Sequence, residues 1–165
     1  MSKEFRAQCI HQTDYRAKFP NKQDFGCFVA TIRHCVESKF QQAFTMNQWS
    51  QMWKRAVDEG AISDKGFVND HEHVGNIALD IIGKWDEGYR FHYVSIHGPN
   101  GVVIREFRPD FKHETYQKGL VWDTESGVHM NYGEWEGNEI MFDPYPGLNL
   151  RGLETVRNYY IGGRL

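Results

Sequence analysis

Cys27 stands directly after Gly26 and opens an apolar run at helical spacing: Phe28, Ile32, Cys35 and Val36. The pattern predicts a helix starting near Cys27, with the thiol in its first turn. Unpaired N–H groups and the positive end of the helix dipole favour negative charge there. That matters because the thiolate, not the thiol, is the nucleophile. Gly26 permits a close approach of the chain just before the sulfur. Most cysteines only pack, so a nucleophilic reading needs a base from elsewhere in the chain.

His129 and Asp143 offer that base and its support. His129 lies in Gly127-Val128-His129-Met130-Asn131-Tyr132, a predicted strand. Asp143 follows a second predicted strand, in Ile140-Met141-Phe142-Asp143-Pro144-Tyr145-Pro146-Gly147. They are fourteen residues apart, which lets two neighbouring antiparallel strands bring the side chains together. A cysteine nucleophile needs a base to take its proton, and the base needs a third group to hold its tautomer and orientation. Taken singly, each has an ordinary explanation: strand histidines are often half-exposed, and Asp-Pro commonly ends a strand.

The elements that must position these groups are legible in outline. Residues 1–22 are polar and mixed, an irregular or short helical lead-in with a turn at Pro20 and Asn21. The Cys27 helix runs to about Gln41. Thr45 and Gln48 form a capping-box pattern for a second helix, Met46 to Glu59, which carries Trp49, Met52, Trp53, Ala56 and Val57 on one face and closes at Gly60. A third helix, capped by Asn69 or Asp70, runs through Val74, Ile77, Ala78, Ile81 and Ile82 to Gly83. Strands are predicted at 89–96, 101–107, 119–122, 128–132 and 139–142, with a turn at His97-Gly98-Pro99-Asn100. The tail from Arg151 receives no element. Helices followed by strands predict an α+β fold with N-terminal helices packed on a C-terminal antiparallel sheet, as one domain over 1–165.

Composition narrows the classes. A net charge of -3 without any basic run argues against nucleic acid. Hydrophobic content of 40% and charged content of 25% are those of an ordinary globular chain. No apolar run reaches the ~18 residues needed to span a bilayer, and Met1-Ser2-Lys3-Glu4-Phe5-Arg6 lacks the apolar core of a signal peptide. Three cysteines, an odd number, argue against a disulfide framework, so a reduced, cytoplasmic protein is expected.

Other groups in the sequence could serve as bases, nucleophiles or ligands. In His71-Glu72-His73 the imidazoles stand at i and i+2, the wrong spacing for joint metal ligation on a helix, and a surface cluster is expected. His92, His97 and His113 are alternative bases should the sheet order differ. Cys35 falls mid-helix and reads as core, and Cys9 lies in the lead-in without an assignable histidine. Gly98-Pro99-Asn100-Gly101 lacks the lysine and following helix of a phosphate loop. No metal or organic cofactor is called for.

The order Cys27 on a helix, His129 on a strand and Asp143 in an Asp-Pro pair after a hairpin resembles the papain-like cysteine peptidases. It is nearest to their bacterial C39-type branch and to small uncharacterised bacterial and phage-associated members. The resemblance covers the Cys27 helix and the final hairpin; residues 42–118 align with nothing specific. It implies a papain-like fold and a cysteine hydrolase, a peptidase or amidase, acting on a peptide or peptidoglycan-like amide. Cys27 would attack, His129 serve as base and then acid, Asp143 orient His129, and Gln23 donate its amide N–H to the oxyanion. Gly26 precedes Cys27 where the family has a following glycine, and Met130 stands where an aromatic is usual. A catalytically silent peptide-binding module of the same fold, or a related cysteine acyltransferase, are the alternatives.

Overall fold

Thr45 caps the second helix as its spacing to Gln48 requires. Its hydroxyl accepts from the Gln48 N–H at 3.1 Å, and Gln48 Oε1 accepts from the Thr45 N–H at 2.9 Å. The structure is a computed structural model describing residues 5, 8–11, 14, 26–109, 116–133 and 137–163. The expected turn at Pro20 and Asn21 lies outside the described residues. Helix α1 spans Cys27–Phe40, α2 Met46–Asp58 and α3 His71–Ile81. Gly60, at φ 75°, turns the chain after α2. Of the two candidate caps for α3, Asp70 does the capping, accepting from the His73 N–H at 3.1 Å. Asn69 instead donates its amide to the Gly60 carbonyl at 3.1 Å.

Six strands follow: β1 Arg90–His97, β2 Val103–Glu106, β3 Gln117–Thr124, β4 Gly127–Gly133, β5 Ile140–Phe142 and β6 Gly152–Gly162. They form one antiparallel sheet in the order β2-β1-β6-β3-β4-β5. The α+β architecture is therefore as expected, with one correction. The tail to which the sequence assigned no element is β6, the longest strand, inserted between β1 and β3. Its partners are distant in the chain: Tyr159 pairs with both Tyr93 and Gln117. Its first seven residues include Glu154, Thr155, Arg157 and Asn158, so its alternation does not advertise a central strand.

The helices cover one face of this sheet. Val29, Ala30, Ile32, Cys35 and Val36 of α1 are fully buried, and α1 packs on β3, β4 and α3. Trp49, Met52, Trp53 and Ala56 of α2 are buried as the Met and Trp stripe predicted, so that stripe is core. Helix α3 lies tight on β1 because of Gly75. A Cβ there would fall 2.0 Å from the Phe91 ring. Among the described residues no helix is long and apolar enough to cross a membrane.

Candidate active site

Cys27 is the first residue of α1 and is 9% exposed, packed against Val121 and Met130 with Phe28 alongside. Gly26, at the N-cap, contributes no capping side chain, and its carbonyl accepts the first helical bond, from the Ala30 N–H at 2.9 Å. One turn further on, the buried Thr31 hydroxyl donates to the Met130 carbonyl at 3.3 Å. That bond ties the start of α1 to β4 beside His129.

Strand register brings the remaining groups together. In the β3–β4 hairpin Trp122 pairs with His129 and Val121 with Met130; Gly127, at φ 133°, and a Thr124 hydroxyl donating to the Gly127 carbonyl at 2.8 Å shape the turn. Strand β5 returns beside β4 with Tyr132 opposite Phe142 and a bulge before Gly133. Asp143, the next residue, meets His129: Nε2 to Oδ1 is 2.6 Å. The same Oδ1 accepts from the Tyr145 N–H at 3.1 Å, so the Asp-Pro turn itself holds the carboxylate.

The electrostatics of His129 follow from these contacts. Burial disfavours its cation, but hydrogen bonds to Asp143 and Cys27, and their charges, outweigh that, and its pKa is pushed up to about 9. Asp143 occupies Nε2, which leaves Nδ1 as the ring nitrogen for the thiol. Cys27, His129 and Asp143, from three separate stretches of sequence, thus come together: Asp143 bonds His129, and Cys27 helps to hold its pKa up. Gln23 lies outside the described residues.

The rival groups sort themselves by topology. His92 and His97 are on β1, separated from β4 by β6 and β3. His92 Nε2 bonds the Gly163 carbonyl at 3.0 Å, and His97 Nε2 the Ser95 hydroxyl at 3.0 Å. His113 is outside the described residues. His71 corrects the expectation of a surface cluster. Its Nδ1 bonds the Tyr159 hydroxyl at 2.8 Å and its ring stacks on Tyr93, with centroids 4.4 Å apart. Burial and the nearby Arg157 push its pKa down to about 4. His73 points elsewhere, to Glu59 at 2.8 Å, as the i, i+2 spacing requires.

A metal-like grouping exists away from this site. Cys9, His34 and Glu37 offer donor atoms within 4.8 Å of one another, all buried, so Cys9 does have a histidine neighbour. Glu37 is already committed. It accepts from Arg33 at 3.2 Å, from the Phe44 N–H at 2.7 Å and bonds His34 at 3.1 Å. The Arg33 guanidinium on the same carboxylate repels a second cation. Burial, then Glu37, pushes the Cys9 thiol up to about 12, which keeps it protonated and a poor ligand. Cys35 is fully buried and all three cysteines are free.

Sequence reasoning missed two residues near the thiol. Arg157 and His71 line the same cavity as Cys27. Arg157 sits on the strand that went unassigned, so no local signal pointed to it. The fold and site together define an α+β domain with a thiol–imidazole–carboxylate cluster at a helix N-terminus. Comparison with protein-family models, curated proteins and solved structures finds no match for this chain.

Proposed function

We propose that this chain is a cysteine hydrolase of papain-like type that cleaves a peptide-like amide bond. The observation that carries the reading is the His129–Asp143 bond at 2.6 Å, with the His129 pKa held up by both Asp143 and Cys27 and the sulfur in the first turn of α1. The sequence resemblance supports the same assignment independently of the geometry.

The chemistry proceeds in two half-reactions. His129 takes the Cys27 proton on Nδ1, while Asp143 holds Nε2 and stabilises the imidazolium. The sulfur attacks the amide carbonyl, and the oxyanion forms near the first-turn N–H groups of α1, with Gln23 the proposed second donor. His129 gives its proton to the departing amine, leaving a thioester on Cys27. Water then attacks, His129 takes its proton, the acid departs and the thiol re-forms. A His129 pKa of about 9 keeps the imidazolium available through neutral pH.

Alkylation by iodoacetamide tests the pair. Cys27 should react at pH values where an ordinary thiol of pKa ~8.5 is protonated, and His129→Ala should remove that advantage. Cys35, fully buried, serves as the internal control for unfolding. A Cys27 rate that ignores His129 overturns the hydrolase reading and leaves a peptide-binding module. Acyl transfer to an added amine in place of hydrolysis would instead assign a transferase.

A further inference from the structure

Beside Cys27 lies a cavity of about 420 Å³. Its walls come from distant parts of the chain: Phe28 of α1, Phe67 of the loop before α3, His71 at the start of α3, Val128 of β4 and Arg157 of β6. Phe67 and Val128 remain 54% and 51% exposed. Large apolar side chains left this open beside a reactive group are more useful to a ligand than to the core.

Arg157 gives the cavity its polarity. Its Nη1 donates to the Tyr93 hydroxyl at 2.7 Å and its Nε to the Thr155 hydroxyl at 3.2 Å, both neutral partners. The acids of the adjoining α3 are occupied. Asp70 caps the helix, and Glu72 accepts from Arg108 through both oxygens at 2.8 and 3.1 Å and from the Tyr93 N–H at 2.9 Å. Among the described residues, then, the guanidinium has no carboxylate partner. Its uncompensated charge also lowers the pKa of His71, after burial. A second cavity of about 520 Å³ shares His71 and Arg157 with the first and adds Arg105 and Arg108.

We infer that the cavity beside Cys27 binds a substrate segment that carries an apolar side chain together with a carboxylate, with Phe67 and Val128 receiving the first and Arg157 the second. This inference rests on the hydrolase reading for its substrate but names a preference of its own. A guanidinium suits a carboxylate, and a partly desolvated arginine bonded only to neutral hydroxyls among the described residues binds an anion without breaking an ion pair.

Protection of Cys27 from iodoacetamide by two small ligands tests it: 3-phenylpropanoate and its uncharged amide, 3-phenylpropanamide. The acid should protect the native chain at about tenfold lower concentration than the amide, the scale of one charge-assisted hydrogen bond. Arg157→Gln should make the two ligands equal, Arg157→Lys should keep part of the preference, and Phe67→Ser should weaken both alike. Equal protection by the two ligands in the native chain, no protection by either, or a preference that survives Arg157→Gln overturns the inference. The native comparison stands even where a variant fails to fold. Failure of the hydrolase reading shows elsewhere, in ligand-free alkylation that does not respond to His129→Ala.

Discussion

Helix α1 takes part in two cysteine–histidine–carboxylate clusters, and they behave in opposite ways. At its N-terminus, Cys27 meets His129 and Asp143; along its second half, His34 and Glu37 meet Cys9. In the first cluster the histidine pKa goes up to about 9. In the second, burial drives His34 down despite its bond to Glu37, and Cys9 is pushed up to about 12. The same three residue types therefore favour the imidazolium at one place and the neutral imidazole at the other. The difference lies in who holds the carboxylate. Among the described residues Asp143 pairs with His129 alone of the charged groups, whereas Glu37, against the cost of its own burial, is ionised mainly by the fully buried Arg33 that shares it. His34 is also sealed by rings, stacked 4.1 Å from Phe142 and edge-on to Tyr132 at 4.8 Å.

The sharpest way to break the contrast is to remove one member of each cluster. His129→Ala should lower amide hydrolysis about a thousandfold, the usual scale of losing a general base, while thermal unfolding shows a folded chain. The matching change in the other cluster, Glu37→Ala, should leave Cys27 alkylation in the folded chain unchanged. It should instead cost about 3–5 kcal/mol in denaturant unfolding, because it strands the Arg33 guanidinium in the core. A Glu37→Ala chain of native stability would show that this network is not structural.

The pH dependence sharpens the comparison further. The raised His129 value contributes stability that is fully present below the unfolded value near 6.5 and is lost as pH rises towards 9. Asp143→Asn removes one cause of the raised value. The alkaline limb of amide hydrolysis should move to lower pH, and the loss of stability above neutrality should shrink. The smallest effect concerns His71, whose folded value is lowered to about 4. It must be neutral to fold, so stability should fall as pH drops from about 6.5 to 4. His71→Asn should flatten that part of the unfolding curve, and an unchanged acid slope would count against the burial argument.

How much of this could be read in advance depended on distance along the chain. The capping box of Thr45 and Gln48 spans four residues and was plain. So was the hairpin that joins His129 to Asp143, since its register is set by a local return. Strand β6 was not legible, because a central strand with Thr155, Arg157 and Asn158 in its middle reads as surface until β1 and β3 are placed on either side. With it went Arg157. His71 was misjudged for a related reason: its neighbours Tyr93 and Tyr159 come from strands far along the chain.

Periodicity, caps and turn residues determined by themselves where the helices start, that strands follow, and that Cys27 opens a helix while Asp143 ends a strand. These are properties of residues within a turn or a hairpin of one another, and neighbouring chemistry is enough to specify them. Which histidine faces which cysteine, which carboxylate is shared with an arginine, and which cation has no carboxylate partner among the described residues were decided only by tertiary contact. Burial and charge compensation depend on groups brought from distant segments, and those terms set whether a thiol beside an imidazole reacts or merely packs.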